Sequence, residues 1–168
     1  MKIFLLGLPG SGKTTLGKEL SELRRVDFVD LDLEIEKQAA KKIKEIFSDQ
    51  GEDRFRELES AELKKWCTSQ GGFVMATGGG TPCFFDNMEW IRKSGTSIFL
   101  DVPVRVLAER MKRTALAERP LLGRVREEEV LDQIQRLRSE RIHFYQRATI
   151  TISGEGLTAQ EIIKRLDR

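Results

Sequence analysis

The stretch MKIFLLGLPGSGKTTLGKELSEL, residues 1–23, decides how the rest of the chain is read. Lys2 to Leu6 is a short apolar run that stops at a glycine. From Lys13 onward Leu16, Leu20 and Leu23 recur at helical spacing, so the segment reads strand, glycine-rich loop, helix. The loop satisfies G-x-x-x-x-G-K-[ST] at Gly7, Gly12, Lys13 and Thr14. Gly7, Gly10 and Gly12 permit positive-φ turns that aim successive N–H groups inward, and the new helix points its positive dipole end into the same hollow. A polyphosphate fits there, with Gly10, Ser11, Gly12, Lys13, Thr14 and Thr15 as its candidate contacts. Lys13 would reach the β- and γ-phosphates as a mobile point charge, and the Thr14 hydroxyl would ligate the magnesium ion that bridges them. The plain alternative is a strand-to-helix turn rich in glycine by chance; four required positions coinciding in that context count against it.

At 168 residues the chain suits one α/β domain, residues 1–168, and is too short for two ordinary ones. Its 29 Lys and Arg against 27 Asp and Glu leave a charge of +2, which argues against a nucleic-acid-binding surface. The apolar run after Lys2 has only the length of a core strand, and no longer one follows, so neither a secretory leader nor a membrane segment is expected. A soluble, cytoplasmic protein follows, expected as a monomer. Cys67 and Cys83 lie far apart without a partner at metal spacing, as incidental thiols in a reducing compartment do.

Downstream, Asp27 to Leu31 is a short candidate strand that ends in carboxylates. In an extended backbone Asp30 and Asp32 would share one side. One would then hold water around magnesium while the other faces a substrate hydroxyl; alternatively Asp32 only caps the helix that follows. Lys41 to Gln70 is helical, with a break expected near Asp49 to Glu52 and an inward stripe of Phe55, Leu58 and Leu63. Arg56 and Glu59, three apart on a neighbouring face, read in isolation as a solvated pair. Gly71 to Thr77 is turn and buried strand, ending in Gly78, Gly79 and Gly80. Either these make a tight turn into a helix carrying Phe85, Met88, Trp90 and Ile91, or something approaches the bare backbone. Ser97 to Val102 is a strand, and Pro103 opens a helix over residues 104–113. Ala115 to Arg126 breaks the pattern with Pro120, Gly123 and three arginines, and reads as a lid or as a basic surface loop. A long helix, Glu127 to Tyr145, a strand from Ala148 to Ile152 and a helix from Thr158 to Leu166 complete the chain, with His143 as a surface or packing residue.

Five strands alternating with helices imply a parallel sheet covered on both faces. Ligands in such sheets collect at the carboxyl ends of the strands. The glycine-rich loop, the Asp30–Asp32 pair and the Gly78–Gly80 turn each follow a strand directly, so one rim would gather them.

Read together, GLPGSGKTT, DLD, DRFRELE, ATGGG, RPLL and RIHFYQRA resemble the shikimate kinase family, small P-loop kinases of the nucleoside-monophosphate-kinase-like group. The likeness spans nearly the whole chain. It implies a three-layer α/β/α domain with a mobile lid at about residues 112–126. It implies transfer of the ATP γ-phosphoryl group, with Mg2+, to the 3-hydroxyl of shikimate, on the chorismate route to aromatic amino acids. By that resemblance Asp32, Arg56, Gly78, Gly79, Gly80 and Arg141 would form the shikimate pocket, with Glu59 supporting it from behind. Lys13, Asp32 and Arg119 would be catalytic, Arg119 as the lid arginine on the transferring phosphate. Thr14 and Asp30 would hold magnesium, and Arg110 would lie against the adenine, with Lys112 and Arg113 as alternatives. Two other classes remain: a related kinase of a sugar acid or nucleotide, though no base-sized aromatic slot is evident, and a nucleotide-dependent switch, which needs no acceptor residues.

Overall fold

The first strand, β1 (Lys2–Leu6), turns Ile3 and Leu5 to one face and Phe4 and Leu6 to the other, and all four are fully buried. Such a strand has to be covered on both sides. The computed structural model describes residues 1–118 and 127–167, apart from the side chains of residues 115–118 and 127. The remaining strands are β2 (Asp27–Asp30), β3 (Phe73–Ala76), β4 (Thr96–Asp101) and β5 (Ile150–Ser153). They form one five-stranded sheet in the order β2-β3-β1-β4-β5, and every neighbouring pair is parallel.

Seven helices enclose the sheet among the described residues: α1 (Lys13–Arg24), α2 (Leu31–Ala39), α3 (Ile43–Thr68), α4 (Asn87–Ser94), α5 (Val104–Glu118), α6 (Glu127–Tyr145) and α7 (Ala159–Leu166). On one face α1 and α7 bring Leu16, Leu20, Ala159 and Ile162 against Ile3, Leu5, Val74 and Ile98. On the other, α2 to α6 bring Ile35, Phe55, Leu63, Ile91, Leu107 and Tyr145 against Phe4, Leu6, Phe73 and Phe99. The expected three-layer parallel architecture is present, and its carboxyl rim carries the loops after β1, β2 and β3 side by side.

Several boundaries differ from the sequence reading. Helix α5 continues through Ala115 to Glu118, where a loop was expected, because ALAE consists of strong helix formers and no breaker comes before Pro120. Phe85 is not on α4; it precedes the helix in a left-handed conformation (φ 49) and is exposed. Leu23 is exposed as well, so the buried stripe of α1 is Leu16 and Leu20. The break near Asp49 to Glu52 exists, at Gly51 (φ 81), inside α3.

Gly95 joins α4 to β4 in extended conformation, and a Cβ there would sit 2.3 Å from the Lys2 carbonyl oxygen and 2.9 Å from its carbonyl carbon. Backbone cannot yield as a side-chain tip does. Gly95→Ala is expected to lower stability by about 1–3 kcal/mol, read in urea melts as a lower midpoint with an unchanged slope.

Candidate active site

The loop after β1 takes left-handed turns at Gly10 (φ 79) and Gly12 (φ 93) before α1 begins at Lys13. Lys13 Nζ donates to the carbonyls of Gly7 at 2.9 Å and Leu8 at 3.0 Å. Its removal from water lowers its pKa to about 8, against the opposing pull of Asp32 and Asp30. Ser11 Oγ is buried without a hydrogen-bond partner among the described residues, an orphaned polar atom inside a loop built to meet anions. A cleft of about 650 Å³ opens over this loop, bordered by Gly10 to Thr15, by Arg110 and Thr114 of α5, and by Leu157 and Thr158 ahead of α7. Arg110 donates from Nη1 to the Gly10 carbonyl (2.9 Å) and from Nη2 to that of Glu155 (2.8 Å), tying α5 to two walls of the cleft. Lys112 and Arg113 are not among its lining residues.

At the end of β2 the arrangement departs from the sequence reading. The strand stops at Asp30, and it is Asp30, not Asp32, that caps α2: its Oδ1 accepts from the N–H groups of Asp32 (3.1 Å) and Leu33 (3.4 Å). Asp32 therefore sits in the first helical turn, and the argument from an extended backbone does not apply. The two carboxylates still separate by role. The other oxygen of Asp30 accepts from the Thr14 hydroxyl at 3.2 Å, whereas Asp32 Oδ1 lies 3.2 Å from where a Gly78 Cβ would stand. Burial raises the Asp32 pKa to about 6, reinforced by the charges of Asp30 and Glu59 and opposed by Lys13 and Arg56.

The loop after β3 is where the side chains converge. Glu59 is fully buried and Arg56 nearly so, and Arg56 Nη1 donates to Glu59 Oε2 at 2.8 Å. The other Glu59 oxygen accepts from Thr81 Oγ1 at 2.6 Å, in the short 3-10 turn Thr81–Cys83. The pair is thus no solvated surface pair. Helix α3 packs against α2, α4 and this turn as well as the sheet, so its buried face widens beyond Phe55 and Leu63 to Arg56, Glu59 and Ser60. A Cβ would come within 2.8 Å of Glu59 Oε1 at Gly78, 3.1 Å of Arg141 Nη1 at Gly79 and 2.6 Å of Arg56 Nη2 at Gly80. None of the three needs positive φ; they are bare because side chains press on the backbone.

The structure therefore brings Asp32, Arg56, Glu59 and Arg141 around one glycine turn. Lys13 belongs to both halves, since it lines the cleft and feels the Asp32 charge. Arg119 lies outside the described residues. Sequence reasoning passed over Thr81, the Phe84 ring 4.1 Å from the Arg56 Cζ, and Tyr145, whose buried hydroxyl donates to the Gly79 carbonyl at 2.6 Å. A signal existed for Tyr145: it is the chain's one tyrosine, four residues after Arg141 and hence on the same helix face. His143 is exposed beside Phe144, and burial raises the pKa of both free thiols, Cys67 and Cys83, which lowers the share of thiolate.

Comparison with known proteins places the chain in a family. A family model described as shikimate kinase matches residues 9–167. A shikimate kinase of Bacteroides fragilis is 45% identical over 160 residues, covering 94% of this chain and 87% of its own. One from Persephonella marina is 41% identical over 164 residues, covering 98% and 95%. Among solved structures, shikimate kinase from Bacteroides thetaiotaomicron matches with a TM-score of 0.87 at 37% identity, over 99% of this chain and 96% of that one. Shikimate kinase from Acinetobacter baumannii in complex with shikimate matches with a TM-score of 0.83 at 32% identity, over 98% and 89%.

The raised Asp32 ionisation can be tested without a ligand. Its pKa is higher folded than unfolded, so ionising it costs stability as pH rises from about 4 through about 6, and the cost persists above that. Asp32→Asn is expected to stabilise the fold at pH 8 by about 1–2 kcal/mol, allowing for screening of a half-buried group, with the gain vanishing near pH 4. Thermal melts at the two pH values measure it; an Asn variant less stable at pH 8 would mean that the carboxylate is stabilised rather than strained.

Proposed function

The chain belongs to the shikimate kinase family, and from that premise we propose that it transfers the γ-phosphoryl group of ATP to the 3-hydroxyl of shikimate, giving 3-phosphoshikimate on the route to chorismate. The observation that supports the acceptor most is the convergence of Asp32, Arg56 and Arg141 on the Gly78–Gly80 turn, beside Lys13. Shikimate is a carboxylate with three hydroxyls. The guanidinium groups of Arg56 and Arg141 suit the carboxylate, which a planar fork grips through paired hydrogen bonds. The bare turn lets the ring lie close to backbone, and Asp32 accepts the hydrogen bond of the attacking hydroxyl and orients it toward the phosphate. A loose phosphoryl-transfer transition state needs little early deprotonation, so orientation is the larger part of that role.

ATP occupies the cleft over the glycine-rich loop, where the inward N–H groups of Gly10 to Thr15 hold the phosphates and Lys13 spreads over the developing charge. Arg110 borders the adenine end, and Arg119, which follows α5 in the sequence of the one domain, contacts the transferring phosphate. Magnesium fits the donors present. Among the described residues no group of three carboxylate, histidine or cysteine side chains forms a cage, but the Thr14 hydroxyl and the Asp30 carboxylate adjoin, the sparse protein set of an ion that keeps waters and phosphate oxygens. When bound, magnesium would neutralise phosphate charge. The proposed working form is a cytoplasmic monomer; no described helix is long and apolar enough to cross a membrane, and the unpaired thiols suit a reducing compartment.

A coupled assay with shikimate, ATP and magnesium is expected to show shikimate-dependent ADP release, and Arg141→Ala to lower kcat/KM for shikimate by about 2–5 kcal/mol of transition-state binding with the KM for ATP unchanged. Turnover with gluconate or a nucleoside monophosphate, and none with shikimate, would overturn the assignment.

A further inference from the structure

The guanidinium of Arg56 is engaged on nearly every side. The Phe84 and Phe55 ring centroids lie 4.1 and 5.1 Å from Cζ. Gly80 packs against the Nη1 and Nη2 end so closely that a Cβ there would stand 2.7 and 2.6 Å from the two nitrogens. Nη1 donates to Glu59. What remains is the edge formed by Nε and Nη2, one of the paired N–H edges that receive a carboxylate through two bonds.

That edge already holds a carboxylate: Glu52 Oε1 accepts from Nε and from Nη2, each at 3.2 Å. Glu52 differs from the other neighbours of Arg56 in three respects. Its side chain is 56% exposed, against 10% for Arg56 and 1% for Glu59. Both of its bonds are longer than the roughly 2.7–2.9 Å of a tight charge-assisted pair. It also follows Gly51 directly, whose φ of 81 and ψ of 173 interrupt α3. Of all the groups around this guanidinium, Glu52 is the one that can leave.

We propose that Glu52 is a resident stand-in for the acceptor's carboxylate: it satisfies the Nε–Nη2 edge of Arg56 before the acceptor binds, then yields that edge and turns to solvent beside the Gly51 break. The proposal rests on the reading that Arg56 holds the shikimate carboxylate. Exchanging one carboxylate for another leaves the charge around Arg56 unchanged, so the Nε–Nη2 edge of the nearly buried guanidinium, whose Nη1 stays on Glu59, is never left without an acceptor. The exchange also sets a threshold for acceptors. A carboxylic acid replaces what it displaces, whereas a neutral polyol of similar shape leaves Glu52 where it is and gains nothing from Arg56.

Shikimate titration calorimetry and steady-state kinetics on the full chain test this with Glu52→Gln and Glu52→Ala. Both variants are expected to lower the Kd and KM for shikimate about two- to fivefold, the range an exposed ion pair contributes, with kcat and the KM for ATP unchanged. Shikimate constants that stay the same or rise in both variants would overturn the proposal, since Glu52 would then be idle or a brace for Arg56. A wild-type chain that binds no shikimate would overturn the acceptor reading and the proposal with it; a wild type that binds it beside unaffected variants would overturn the proposal alone.

Discussion

The carboxylate of Glu59, buried beneath the glycine turn, is the constraint on which the proposed acceptor half of the site depends. An ion in that position is tolerable only if fully paired, because desolvation costs several kcal/mol and the loss of one partner about 3–5 kcal/mol. Glu59 meets the condition with Arg56 on one oxygen and Thr81 on the other. Each partner is thereby fixed as well. Arg56 can donate to Glu59 only by lying against Gly80, and Thr81 only by folding the chain into the short turn after that glycine. Bare residues at Gly78 and Gly80 are the geometric consequence, for a Cβ there would meet Glu59 or Arg56; Gly79 between them is pressed instead by Arg141 and Pro9.

The parallel sheet does the rest of the assembly. Strands β1, β2 and β3 are neighbours running the same way, so the glycine-rich loop, the Asp30 cap and the Gly78–Gly80 turn emerge on one rim. Two groups there have their charged forms disfavoured by the same cause. Burial pulls Lys13 down to about 8 and pushes Asp32 up to about 6, and each opposes the shift of the other. At neutral pH both are still mainly ionised, which suits the roles proposed for them, Lys13 on a phosphate and Asp32 accepting a hydrogen bond from the substrate hydroxyl.

The architecture could be read from the sequence wherever one local rule sufficed. Four spaced residues and flanking periodicity marked the loop at Gly7 to Thr14, and alternating strand and helix patterns marked the sheet. Positions governed by tertiary packing were less legible. Arg56 and Glu59 stand three apart on a highly charged helix, the pattern of a solvated pair, and only the packing of α3 against α4 and the Thr81–Cys83 turn buries them. Local spacing did not separate Asp30 from Asp32, which only the family resemblance did; the structure separates them because β2 ends at Asp30 and α2 starts at once. Phe84 carries no local signature, because it matters through Arg56, distant in sequence; Glu52 and Tyr145 stand one helical turn from Arg56 and Arg141, a spacing that becomes informative only once those arginines are known to line the turn.

Since Gly80 has helical φ and ψ that alanine adopts without strain, Gly80→Ala adds only a methyl group where the Arg56 guanidinium now lies. Calorimetric titration of this variant with shikimate and with ATP is the most direct measurement of whether that close approach organises the acceptor site. Weakening of shikimate binding by about ten- to a hundredfold, as expected when an anchoring group is displaced by roughly an ångström, with ATP binding unchanged, is the outcome the structure requires. Shikimate binding as tight as in the wild type, with Arg56 pushed from the turn, would contradict it.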